Sequence, residues 1–127
     1  MPRKMYLAEL IATFTLVLFG CGAMVVNDIY SNLGGLGVCT VWGLVVMVMI
    51  YSFGNVSGAH MNPAVTLGFL LARRIQFDWA WRYIVCQIFG AILAALLLGY
   101  LYPQHETLGS TLPGVSHDRV FVIEMIQ

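Results

Sequence analysis

The chain has 127 residues, of which 60% are apolar and only 9% charged, against roughly 25% charged in an average soluble domain. A core this small cannot hide that much apolar surface from water, so lipid must solvate part of it. Six basic and six acidic residues cancel, and no basic surface points to nucleic acid.

The first predicted element is a membrane span. Arg3 and Lys4 precede an apolar stretch, Tyr6–Val26. It is too long for a signal-peptide core and lacks a small-residue cleavage site. A span needs about 20 residues, so the stretch reads as a retained transmembrane helix. The segment Asn27–Gly35, rich in Asn, Ser and Gly, reads as a loop. A second span follows over Leu36–Phe53. Next comes a shorter apolar segment, Pro63–Arg74. About 12 residues at 1.5 Å each reach roughly 18 Å, a little over half of a membrane core. The third span covers Trp79–Tyr102.

Lysine and arginine orient these spans. Arg3 and Lys4 lie before the first, and Arg73 and Arg74 lie before the third, with Arg82 close by. Neither Asn27–Gly35 nor Pro103–Asp118 carries any. The positive-inside rule places the N-terminus and Arg73/Arg74 in the cytoplasm of an integral protein of a plasma or inner membrane. The two flanking spans already balance, so the short segment must enter and leave on one side. The sequence therefore predicts an all-α, multi-pass membrane helical bundle with three transmembrane helices and one re-entrant half-helix.

The chain ends on Val120–Gln127, too short to cross a bilayer. Arg119 and Glu124-Met125-Ile126 echo Arg3 and Glu9-Leu10-Ile11. Such an echo predicts an internal repeat: a first unit over 1–117, and the truncated start of a second, with the beginning of a fourth span, over 118–127.

The chemistry centres on Ser57-Gly58-Ala59-His60-Met61-Asn62-Pro63-Ala64-Val65-Thr66. Asn is a good helix N-cap and Pro suits the first helical turn. Here they open a half-length helix inside the membrane, where irregular backbone is tolerated only if buried in protein or lining an aqueous cavity. The helix N-terminus carries roughly +0.5 of an elementary charge, which repels cations and protons at mid-membrane. The Asn62 amide offers a hydrogen-bond donor, and the carbonyls of Gly58, Ala59, His60 and Met61 offer acceptors to a passing polar molecule.

The run Ser-Gly-Ala-His-x-Asn-Pro-Ala-Val-Thr resembles the first signature of the major intrinsic proteins, the aquaporin and aquaglyceroporin family. The similarity extends along the chain, through Glu9, Gln87 and Glu124. Within the family, Val41–Leu44 and Met49–Ser52 are most similar to the nodulin-like intrinsic proteins. The resemblance implies an aquaporin-like half repeat and a passive, cofactor-free channel, not an enzyme. It implies solutes such as water, glycerol or metalloid acids, and a homotetramer for a complete protein. It assigns Asn62, Pro63 and Ala64 to the pore centre. Glu9, Gln87 and Glu124 then support the re-entrant loop structurally rather than coupling protons. Trp42, twenty residues before Asn62, matches the aromatic position of the family's selectivity ring. It also fits an interfacial belt tryptophan. The second Asn-Pro-Ala and the arginine that follows it in the family are absent here.

Other features have plainer readings. Cys21, Cys39 and Cys86 lie in apolar runs, with neither disulfide-framework nor metal-ligand spacing. Cys86, Gly90 and Ala94 recur every four residues and predict close helix packing. His105 and His117 are too isolated for a metal site. Two rival functions differ in testable ways. A small proton-coupled antiporter would have four full spans and no re-entrant turn. A non-conducting fragment of a longer channel would insert but not transport.

Overall fold

The computed structural model describes residues 2–110. Its order is α1 (Pro2–Tyr30), α2 (Gly34–Ser57), α3 (Pro63–Leu71) and α4 (Phe77–Leu101), with no strand among the described residues. At 1.5 Å per residue α1, α2 and α4 are about 43, 36 and 37 Å long; each is apolar enough to cross a membrane. The nine residues of α3 reach only about 13 Å.

The first helix is the hub. It packs against both α2 and α4, and α3 rests on α4. The buried face of α4 runs Ala80, Tyr83, Gln87, Gly90, Ala94 and Leu98, a three-to-four-residue rhythm that lines one side of a helix. Gly90 marks the crossing with α1: a Cβ there would lie 2.5 Å from the Leu10 carbonyl oxygen. Cys86 is only partly buried and Ala95 is exposed, so the buried stripe passes through Gly90 and Ala94. The opposite faces carry apolar residues in the open. Leu36, Tyr51 and Leu71 are each 84% exposed, as expected where lipid or further protein supplies the apolar contact.

The loop expected over Asn27–Gly35 is shorter than its composition suggests, because α1 continues through Asn27 and Asp28 to Tyr30. Ser31, at φ 52°, ends the helix with its N–H on the Asn27 carbonyl at 2.8 Å. The Asn27 side chain accepts the Gly34 N–H at 2.8 Å. One residue thus closes α1 and opens α2. The short helix also ends before the predicted Arg74. Arg73 takes a left-handed φ of 56°, and the Arg74 N–H reaches back to the Phe69 carbonyl at 2.9 Å, a Schellman-type termination.

After α4 the chain folds back along α1. His105 Nδ1 accepts the Leu108 N–H at 3.0 Å, and Nε2 meets Asp28 Oδ2 at 3.3 Å. Gly109 lies on the Cys21 backbone, where a Cβ would meet the carbonyl oxygen at 2.6 Å. His117, Arg119, Glu124 and the proposed start of a second repeat fall outside the described residues.

Candidate functional site: the re-entrant turn

The turn begins where α2 ends. Gly58 takes a left-handed φ of 88° and its N–H caps Gly54 at 3.0 Å. Ala59 and Met61 are left-handed as well, at φ 47° and 53°. For residues with a Cβ this conformation costs on the order of 1–3 kcal/mol each, so surrounding contacts must hold it. Part of the hold is apolar. The Ala59 and Met61 side chains are buried in a cluster with Ala12, Val45 and Met49.

The rest of the hold is one carboxylate. Glu9 is fully buried. Its Oε1 accepts the Ser57 hydroxyl at 2.6 Å and the His60 N–H at 2.9 Å. Its Oε2 accepts the Met61 N–H at 2.8 Å and the Gln87 amide at 2.8 Å. Four donors and no acceptor are the partners that an ionised carboxylate takes. The remaining N–H, of Ala59, goes to Ser57 Oγ at 3.1 Å. The N–H groups of Ala59, His60 and Met61 therefore all point inward. No hydrogen bond among the described residues reaches the carbonyls of Gly58, Ala59, His60 or Met61.

A second tier surrounds the first. Gln87 Nε2 also donates to Thr66 Oγ1 at 3.0 Å, which lies 3.1 Å from His60 Nδ1. The Tyr83 hydroxyl donates to the Ser57 carbonyl at 2.9 Å. The His60 ring stacks on Phe69 at 4.6 Å and meets the edge of Tyr83 at 5.3 Å. Two buried oxygens, Thr13 Oγ1 and Gln87 Oε1, have no partner among the described residues.

Asn62 opens α3 with an extended backbone, and Pro63 follows at the first helical position. The Asn62 Oδ1 accepts the Ala64 N–H at 2.8 Å. Its side-chain oxygen is thereby spent on the cap, and its NH₂ is left to face outward from an exposed residue. Ala64 is exposed beside it.

The structure thus brings Glu9, Gln87, Gly58, Ala59, His60, Met61 and Asn62 to one place. Trp42 is elsewhere along α2. Half-buried, its indole lies over α1 at Gly20, where a Cβ would come within 2.6 Å of three ring carbons. Reasoning from sequence gave no role to Ser57, Thr66 or Tyr83. Ser57 and Thr66 stand inside the quoted motif. Tyr83 lies four residues before Gln87 on the same helical face, and that spacing was the available signal. Among the described residues no group of three or more His, Cys, Asp or Glu side chains is placed to hold a metal.

The arrangement is a half-length helix opened by Asn-Pro-Ala and resting on a long apolar helix, the shape of a re-entrant segment in a membrane bundle. The family model for the major intrinsic proteins matches residues 2–127, and the chain belongs to that family. Relatives include aquaporin NIP1-1 of Oryza sativa subsp. japonica, 43% identical, with 94% of this chain and 43% of the relative covered. Aquaporin NIP1-4 of the same species is 41% identical, covering 97% of this chain and 45% of its own length. Nodulin-26 of Glycine max is 39% identical, covering 94% and 45%. The chain therefore spans less than half the length of these curated relatives. Family and helices together mark an integral membrane protein.

Proposed function

We propose that this chain supplies the first half of a passive channel for water, glycerol and other small uncharged solutes, metalloid acids included. One observation carries the reading. The turn commits its inward N–H groups to Glu9 and Ser57 and leaves four successive carbonyls and the Asn62 NH₂ without partners among the described residues. A solute passing that edge exchanges water contacts for a row of acceptors ending in a donor. The positive end of α3 opposes cations there, worth roughly half an elementary charge. Ion exclusion then needs no cofactor, because dehydration and the helix dipole supply it.

Several finer assignments belong to the same proposal. Asn62, Pro63 and Ala64 mark the centre of the pore. Trp42 contributes an apolar wall to the selectivity ring. The N-terminus and Arg73/Arg74 face the cytoplasm. Residues 1–117 form one repeat, 118–127 begin a second, and Glu124 repeats the role of Glu9. A complete protein assembles as a homotetramer in a plasma or inner membrane.

Light scattering of proteoliposomes tests the reading. Vesicles holding the chain are shocked with an impermeant sugar and then with glycerol. Fast swelling that falls at least tenfold in Asn62→Ala, with helicity retained, supports conduction through the turn. Permeability equal to empty vesicles, from inserted and helical protein, refuses conduction to the chain by itself. Flux driven by a pH gradient and lost in Glu9→Gln would replace the channel with an antiporter.

A further inference from the structure

A crevice of about 340 Å³ lies behind the re-entrant turn, at the small end of the range for small-molecule sites, about 300–1,000 Å³. Its walls are Met5 of α1, His60 of the turn, Arg74 and Gln76 of the linker, and Trp79 and Tyr83 of α4. Three independent segments of chain thus meet around one opening.

Its floor holds an uncommitted polar group. His60 is only 9% exposed, and Phe69 and Tyr83 fix its ring. Nδ1 is engaged with Thr66, whereas Nε2 has no hydrogen-bond partner among the described residues. The Thr66 hydroxyl accepts from Gln87 and donates to the Asn62 carbonyl at 3.2 Å, so the His60 Nδ1–H donates to Thr66 and Nε2 offers a lone pair to the crevice. Gln76 adds a side-chain amide that makes no capping bond to α4. Arg74 supplies the charge.

The surroundings favour an anion. All five Lys and Arg among the described residues, Arg3, Lys4, Arg73, Arg74 and Arg82, belong to this end of the bundle. Arg82 is drawn onto the rings of Tyr6 and Trp81, at 5.9 and 5.5 Å. The exposed acid nearby is Asp78, in the first turn of α4. Trp79 and Trp81 are half-exposed residues of the kind that settle at headgroup level. An arginine matches phosphate oxygens in a bidentate fork, and basic pockets between membrane helices suit lipid headgroups.

We propose that this crevice binds a phosphate group, carried by an anionic phospholipid. Arg74 takes the phosphate oxygens, the Gln76 amide adds a donor, and Met5 and Trp79 cover the apolar part of the headgroup. The bound lipid ties the start of α1 to the turn and to the start of α4. The assignment does not rest on conduction.

The test measures retained lipid rather than flux. The chain is reconstituted in phosphatidylcholine with or without phosphatidylglycerol, extracted gently, and its bound lipid counted by native mass spectrometry. Arg74→Gln is compared with Arg73→Gln, which removes the same charge from the neighbouring residue outside the crevice. Circular dichroism checks that both remain helical. Wild type should retain phosphatidylglycerol over phosphatidylcholine. Arg74→Gln should lose about tenfold, against no more than about fivefold for one diffuse surface charge in Arg73→Gln. A second arm adds inorganic phosphate to the wild-type protein carrying phosphatidylglycerol. Displacement of phosphatidylglycerol by millimolar phosphate supports the same site and assigns it to the free anion. Equal losses in the two variants, or no preference between the lipids, would overturn the proposal.

Discussion

Two connections in this molecule solve the same problem by different means. The turn at Ser31–Leu33 and the turn at Gly58–Asn62 each follow a long helix and use left-handed residues. The first is exposed, and one residue, Asn27, holds both of its ends, one by its carbonyl and the other by its side chain. The second is buried over Ala59–Met61, with Gly58 and Asn62 exposed at its ends, and relies on Glu9, Ser57, Thr66, Tyr83 and Gln87 from four helices. Water can satisfy whatever the exposed turn leaves unpaired. In the buried turn each unmet donor costs about 1–3 kcal/mol, so the fold brings a full carboxylate to it. A connection that must stay irregular away from water needs a dedicated partner from elsewhere in the chain.

Breaking that partner should give the largest effect. In Glu9→Gln an amide NH₂ replaces one carboxylate oxygen and faces two donors. The loss of two hydrogen bonds to a charged group, at about 1.5–3 kcal/mol each, predicts a destabilisation of about 3–6 kcal/mol. Denaturant unfolding in detergent, followed by circular dichroism, measures it. A loss under about 1 kcal/mol would mean the turn stands without the carboxylate.

The exposed turn should respond less. Asn27→Ala removes one side-chain bond to Gly34 and predicts a loss of about 0.5–1.5 kcal/mol in the same assay. A loss as large as that of Glu9→Gln would erase the contrast between the two connections.

The smallest effect is expected at Ala59. Glycine there relieves a left-handed conformation worth about 1–2 kcal/mol. It also gives up a buried methyl of about 0.8 kcal/mol and some chain entropy. Ala59→Gly should therefore leave stability within about 0.5 kcal/mol of wild type. A gain above about 1 kcal/mol would show that the strain is larger than the backbone angle implies.

The contrast also explains what could be read from the sequence. The three long helices and the short one were legible because membrane spans announce themselves by length and apolarity. Helix ends were less legible. Asn27 and Asp28 look like loop residues, yet Asn27 serves the turn from inside α1, a role composition does not reveal. Glu9 and Gln87 stood out as polar residues in apolar helices, a rare placement. Ser57, Thr66 and Tyr83 did not, because hydroxyls are common in such segments and their partners are distant in sequence. Trp42 drew attention by its spacing to Asn62, a pattern that speaks of sequence and not of position. Its seat over Gly20 depends on how α1 and α2 cross, which no local pattern encodes.

The reach of Glu9 has a consequence for how the protein is made. Its last donor, Gln87, comes 78 residues after it. At about 5–20 residues per second of synthesis, that separation amounts to roughly 4–16 s. Through that interval the first helix has emerged with a carboxylate whose partners do not yet exist. Ser57, His60 and Met61 appear earlier, but α4 must arrive before Tyr83 and Gln87 can close the set. The turn is thus a late assembly step of an early segment. Until then, Glu9 has to remain near the water-facing end of its helix or be shielded by the insertion machinery.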